Sequence, residues 1–366
     1  ALQECLAPDA FAAALCAAVD GDYVLSRRSL GSARKELGYH GFIALFVLVE
    51  RRHVTSMAWQ ELTVAHSTVR RGKKVLGIRA LTAANKGAVG TACRFHGTTI
   101  AFVGAHLNSD KRGVSKLEKR IRDTRYVCEG IELGFDALGF GLEACVHHVI
   151  LLGDLNFRVG LPLGTALERM AHGRWESLLA ADELSTAMAQ RRVLSGWREA
   201  PIAFLPTYRR RPAVAPPPVA VGDADEDGGD GLGATAGRRS LSDAGAAVAA
   251  LEAAYTLHVD GSERTPSYTD RVLLHSLPGL EPQLTCVDYD ACELLTASDH
   301  RPVAADLELS VPAAAGAAAC ADAARSPRRH SLVVRGGGSL RCQLRLSELT
   351  LHDDDAAERL ALFPMS

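Results

Sequence analysis

Two almost wholly apolar runs, FIALFVLVE at 42–50 and VHHVILLGDL at 146–155, limit what this chain can become. Segments of strand length with no polar face are strands covered on both sides. The fold therefore needs an interior sheet with other layers against each face. The rest of the sequence supplies those layers. GAVGTACRF (87–95) and TTIAFVGAHL (98–107) are joined at His96-Gly97, which suits a tight hairpin. In 111–134, Val114, Leu117, Ile121, Val127 and Ile131 recur at roughly helical spacing with charges between them. WESLLAADELSTAMAQRRVL (175–194) reads as one helix, and TDRVLLHS (269–276) and RPVAADLEL (301–309) as strands.

With 366 residues, 47% hydrophobic and 23% charged, the chain can bury a large core. A formal net charge of −2 gives no basic field that would argue for nucleic acid. Nine cysteines without a C-x-x-C pair read as small buried hydrophobes and suggest a reducing compartment, which makes a cytoplasmic protein the expectation. No apolar run has the length of a bilayer span, and the first twenty residues lack a basic n-region.

The chemistry lies where apolar runs emerge into loops: VILLGDLNFR at 149–158, PSYTDRVLL at 266–274 and ASDHRPV at 297–303. Alone, Asp-Leu-Asn is an ordinary turn. Together the three runs offer what a one-cation phosphoryl hydrolase needs. These are an acid to orient water, an amide for developing charge, and a carboxylate-backed histidine for the phosphate. Asp154 and Asn156 lie two apart, so their side chains leave a strand end on the same side.

GDLNFR, PTYRR, PSYTDRVL and SDHRPV, in this order, resemble the motif series of the inositol polyphosphate 5-phosphatases, in the endonuclease/exonuclease/phosphatase superfamily. LQE at 2–4, HGFIALFVLVERRH at 40–53, NKGAVGTACRF at 85–95, FVGAHL at 102–107 and DEL at 182–184 agree with that series. The resemblance covers roughly residues 1–310. It implies an α+β fold, the four-layer α/β/β/α sandwich of the DNase I-like type. An earlier strand carrying an Asn beside the metal is expected to be missing, so the chain reads as N-terminally truncated.

The resemblance also implies roles. Asp154 would orient and deprotonate the water, and Asn156 would donate to the attacking group and the phosphate. His300 would meet the scissile phosphate as a cation, oriented by Asp270, with His106 on the other side. Glu4 would bind the metal and Asp299 would lie close to it. Magnesium is the expected cation, given hard oxygen donors and no zinc spacing. Tyr208 and Arg209, with Arg264 and Arg271, would hold a neighbouring ring phosphate, while Asn85 and Lys86 line the far side of the pocket. Arg209 stands where the family usually has Lys, Tyr268-Thr269 replaces Trp-Cys, and HLNSD lacks a second histidine at Asp110.

Residues 212–247, rich in Pro, Gly, Ala and Asp, read as a disordered insertion, and 311–329 as a linker. SLRCQLRLSEL (339–349) alternates like a half-buried strand, so 330–366 is the candidate start of a C2-like β domain. The leading function is magnesium-dependent removal of the 5-phosphate from soluble inositol phosphates or phosphoinositide lipids, the latter with peripheral membrane contact. The alternatives are a phosphodiesterase or nuclease of the same superfamily and a degenerate phosphoinositide-binding module.

Overall fold

The computed structural model describes residues 1–19, 21–33, 41–68, 74–75, 78–79, 86–111, 113–131, 141–214, 241–311 and 328–336. Its strands are β1 (Leu2–Cys5), β2 (Tyr23–Ser32), β3 (Gly41–Glu50), β4 (Trp59–Thr68), β5 (Lys74–Val75), β6 (Ile78–Arg79), β7 (Gly87–Phe95), β8 (Thr98–His106) and β9 (His148–Asp154). They continue with β10 (His258–Val259), β11 (Ser262–Glu263), β12 (Asp270–Ser276), β13 (Leu284–Ala291), β14 (Val303–Val311) and β15 (Arg328–Gly336). The helices are α1 (Pro8–Ala18), α2 (Arg51–Thr55), α3 (Leu117–Gly130), α4 (Leu142–Cys145), α5 (Leu163–Ala171), α6 (Trp175–Leu179), α7 (Glu183–Ala189) and α8 (Leu241–Ala254).

Five strands form the central sheet in the order β12-β9-β8-β7-β4, with β8 and β9 parallel and the other pairs antiparallel. The facing layer consists of two three-stranded sheets, β1-β3-β2 and β13-β14-β15. Alternate residues of the central strands divide between two cores, as a period of two requires. Ile150 and Leu152 of β9, Phe102 of β8 and Val272 of β12 face the other sheets, where they meet Ile43, Leu45, Val303 and Leu307. Val149, Leu151, Val103 and Leu273 face outward onto Ile121, Val127, Leu142, Leu184 and Trp197 of the helical layer. On the far side, Phe11 and Leu15 of α1 cover Leu2, Cys5, Leu25 and Phe46. The result is the expected four-layer α/β/β/α sandwich, and it explains why β9 carries no polar residue between His148 and Asp154.

The hairpin at His96-Gly97 forms as expected, with both residues at positive φ (46° and 87°), the backbone that a two-residue turn matching strand twist requires. Three expectations change. The single helix over 175–194 is two, α6 and α7, because Asp182 caps the second: its carboxylate accepts from the Ser185 amide and hydroxyl, both at 2.9 Å. The insertion expected over 212–247 ends earlier. Leu241–Ala254 is a helix, with Leu251 and Ala254 buried against the core beside α5, since its alanines favour helix however low the sequence complexity. Residues 215–240 of that expectation lie outside the described residues. Finally, Arg328–Gly336 does not begin a separate β domain. It pairs with the open edge of β14 in continuous register from Val311↔Arg328 to Val303↔Gly336. The strand expected at 339–349 lies outside the described residues.

Candidate active site

The site grows from the inner face of the central sheet. The alternation that puts Phe102, Leu152 and Val272 in the inter-sheet core puts His106, Asp154 and Asp270 on the same face at the strand ends. Register aligns them across three strands, His106 beside Asp154 and Asp154 beside Asp270. All three are buried. Gly153 makes the approach possible, because it holds φ at +135° and a Cβ there would lie 2.1 Å from the Ala105 carbonyl oxygen.

Asp154 is held on several sides. Its Oδ1 accepts from the Asn156 amide at 2.9 Å, and its Oδ2 accepts from Asn156 Nδ2 at 2.8 Å. His106 Nε2 lies 3.1 Å from the same Oδ2. Burial opposes ionisation, but the His106 contact and the charges of His300 and Lys86 outweigh it, so Asp154 stays ionised well below the usual carboxylate range. His106 moves the other way. Burial and Lys86 lower its pKa more than Asp154 and Glu4 raise it, leaving a neutral imidazole.

Asn156 sits at φ +58°, a left-handed position that asparagine tolerates. Its amide was expected to donate to the attacking group and the phosphate. Here its Nδ2 serves Asp154 and the Leu107 carbonyl (3.1 Å), so in this state it anchors the acid.

His300 Nδ1 donates to Asp270 Oδ2 at 2.8 Å. That oxygen also receives Thr207 Oγ1 at 2.7 Å and Thr269 Oγ1 at 2.9 Å. Burial disfavours the imidazolium, yet Asp270, with help from Asp154 and Asp299, raises the pKa to about 10. The Tyr208 ring packs on His300 with centroids 4.5 Å apart. One ligand atom each from Asp154, Asp270 and His300 lies within 4.8 Å of the others.

The expected metal ligands differ in their engagement. Glu4 holds φ +55° on β1, and its half-exposed carboxylate lies 4.0 Å from Lys86 Nζ. Lys86 also contacts His106 Nε2. Asp299 faces Arg209, with Oδ2 3.0 Å from Nε. That ion pair ties Arg209 to the acid beside the site, so a ring phosphate would have to compete for it. Arg264 is half-buried after the β10–β11 hairpin, and Asn85 lies outside the described residues.

One expected substrate contact is corrected. Arg271 is fully buried and its guanidinium is consumed by Asp182 (Nη1 to Oδ2, 2.8 Å) and Glu199 (Nε to Oε1, 2.7 Å). It presents no donor to a ligand. Its strand alternates it away from Asp270, onto the helical side. Arg210 is buried too, stacked 4.6 Å over Tyr255 and paired with Glu293. Sequence reasoning missed Thr207 and Thr269. The hydroxyls lie inside quoted motifs, but nothing in those motifs says which oxygen they meet.

Residues 43–214 and 253–306 match the family described as Endonuclease/Exonuclease/phosphatase family 2. The chain belongs to that family. The likeness to inositol 5-phosphatases appears in its curated relatives. It is 28% identical over 234 residues to phosphatidylinositol 3,4,5-trisphosphate 5-phosphatase 2B of Danio rerio, covering 63% of this chain and 16% of that protein. It is 29% identical over 236 residues to phosphatidylinositol 3,4,5-trisphosphate 5-phosphatase 1 of Homo sapiens, covering 63% and 17%. The chain thus spans about a sixth of the length of these relatives. The inositol polyphosphate 5-phosphatase domain of SPsynaptojanin, solved with inositol (1,4)-bisphosphate and calcium, superposes with a TM-score of 0.49 at 21% identity over 78% of this chain and 62% of that one. So loose an overlap carries no residue role across. No helix among the described residues is long and apolar enough to cross a membrane.

Proposed function

We propose that this chain is a phosphomonoesterase that removes the 5-phosphate from inositol phosphates or phosphoinositides with a divalent cation, magnesium, by direct attack of water. The observation that carries this reading is an ionised Asp154 and a cationic, partly buried His300 gathered with Asp270 in one cluster, a ligand atom of each lying within 4.8 Å of the others. At neutral pH one group is an anion that can orient a water and the other a cation that can offset negative charge, two complementary roles in hydrolysis by water. The relatives' names supply the substrate class.

In this mechanism Asp154, anchored by Asn156 and His106, orients a water and accepts its proton. His300, aimed by Asp270, Thr207 and Thr269, meets the phosphoryl oxygens as negative charge builds there. Lys86 adds a second positive charge on the His106 side. The residues fit a hard cation. Among the described residues the half-exposed Glu4 carboxylate accepts no hydrogen bond, its backbone holds φ +55°, and the Lys86 ammonium lies 4.0 Å away. Glu4 would hold the ion and Asp299 would lie beside it, and oxygen donors suit magnesium. When bound, the ion would polarise the phosphoryl group and neutralise the leaving oxygen.

The test is phosphate release from soluble inositol phosphates and from phosphoinositide vesicles, with magnesium, with calcium and with chelator. Release confined to 5-phosphorylated substrates, abolished by chelator and restored by magnesium, is expected. Release from phosphodiesters alone, or none from any 5-phosphate, would overturn the reading.

A further inference from the structure

Arg158 closes the GDLNFR run at the end of β9. Its Nη2 donates to Asn156 Oδ1 at 2.5 Å. Its guanidinium lies over the Tyr208 ring, 4.4 Å from the centroid. The same Tyr208 ring packs on His300 at 4.5 Å. From behind, the Arg158 amide donates to Glu183 Oε2 at 2.9 Å, and Glu183 is itself paired with Arg120.

The position of one guanidinium decides how Asn156 lies. An asparagine amide can be turned over with little change in shape, exchanging oxygen for nitrogen. Turned over, Asn156 would set its oxygen against the Asp154 carboxylate and the Leu107 carbonyl, three acceptors together, and its nitrogen against a cation. With Arg158 in place, the oxygen has a charged donor and both Nδ2 hydrogens point at Asp154 and Leu107. The flat face of arginine then reaches the other half of the site through Tyr208. Lysine has no such face.

Resting on the phosphatase reading above, we propose that Arg158 is a positioning residue. It locks the Asn156 amide so that Nδ2 holds Asp154, and through Tyr208 it fixes the ring plane of His300. It acts through these side chains and does not bind the substrate.

The full chain carrying Arg158→Met, Arg158→Lys, Asn156→Ala and the Arg158→Met/Asn156→Ala pair tests this. Losing a charged hydrogen bond of this kind should lower kcat by about 10- to 100-fold, with KM within about threefold, the pattern of a transition-state effect. Arg158→Lys should recover part of the loss, because it keeps charge and a donor but not the stacked plane. In the Asn156→Ala background, Arg158→Met should cost clearly less than it does alone, because only the route through Tyr208 is then left to lose. A rise in KM with kcat kept would make Arg158 a substrate ligand. Losses that multiply in the double variant, or an unchanged kcat, would also overturn the proposal.

A second readout is independent of turnover. The Asn156 side-chain amide protons, seen in ¹H–¹⁵N spectra, should exchange slowly in the wild type and faster in Arg158→Lys and Arg158→Met. Unchanged exchange would overturn the positioning role. If Arg158→Met does not fold, Arg158→Lys decides by the same two measures. If the wild type releases no 5-phosphate, the phosphatase reading falls, and the exchange measurement still judges the lock.

Discussion

Arg271 offers the sharpest test of the structure, because sequence and structure assign it different work. Its guanidinium lies in a pocket with Asp182 and Glu199. Asp182 is fully buried, Glu199 is mostly so, and Tyr289 donates to Glu199 at 2.9 Å. Burial works against the arginine charge, but the two carboxylates outweigh it and raise its pKa further. Arg271→Met removes the cation and keeps most of the volume. Two acids are then left in a low-dielectric pocket without a counter-charge. Breaking a buried pair in this way typically costs about 3–5 kcal/mol. Denaturant unfolding should therefore show a stability loss of about that size, while the folded fraction keeps its KM within about threefold. The combined variant Arg271→Met, Asp182→Asn, Glu199→Gln should regain part of the loss, since both stranded charges are gone. A stability change under about 1 kcal/mol together with a tenfold rise in KM would refute the argument and return Arg271 to the substrate.

Asp154→Ala should lower kcat by about 10²–10⁴-fold, as loss of an acid–base group does, in protein that still unfolds cooperatively; phosphate release and a melting curve check both halves. His148 is buried on Ser276 (2.9 Å), and burial together with His147 and Arg198 lowers its pKa to about 4. Its unfolded value is higher, so the unfolded chain takes the proton first, and stability should drain away as pH falls from about 6.5 to 4, by up to about 1.4 kcal/mol per pH unit. His148→Asn should flatten that slope in unfolding measured across the window. Replacing residues 215–240 by a short Gly/Ser bridge should leave kcat unchanged, because closure cost varies slowly with loop length. Extending the deletion through Ala254 removes the buried Leu251 and should lower the unfolding midpoint, as losing one such side chain typically costs about 2–5 kcal/mol. Arg264→Ala should weaken turnover of 4,5-phosphorylated substrates about tenfold more than turnover of 5-phosphorylated ones, and equal losses in kcat/KM would count against a ring-phosphate contact.

The layers were legible because strand burial writes itself into residue order. β9 and β3 read as interior strands for the reason that places them inside, and the hairpin at His96-Gly97 announced its own backbone. The misread elements share a cause. Asp182 stands in a helical pattern whose periodicity continues on both sides, so its cap and its buried partner Arg271, 89 residues away, left no local trace. α8 hides in alanines that resemble the low-complexity sequence before them, and its packing through Leu251 and Ala254 onto the core is not written in that composition. Arg328–Gly336 becomes a strand because β14 offers an edge, and composition alone does not reveal a vacancy elsewhere in a fold.

The site follows the same logic one step further. On the inner face of the central sheet the core side chains and the site row are a single series, Phe102 to His106, Leu152 to Asp154, Val272 to Asp270. The row begins where that inner core ends, which is why motifs at strand ends could be found from order alone. What the order could not supply is the state of each charge. Asp154 and Asp270 are both buried acids on adjacent strands, yet one is held by an amide and a neutral imidazole and the other by two hydroxyls and an imidazolium. The donors that separate them come from positions 106, 156, 207, 269 and 300. The working roles of two like carboxylates therefore belong to the packed tertiary structure, and a variant that disturbs the donors while sparing the acids should blur the division between them.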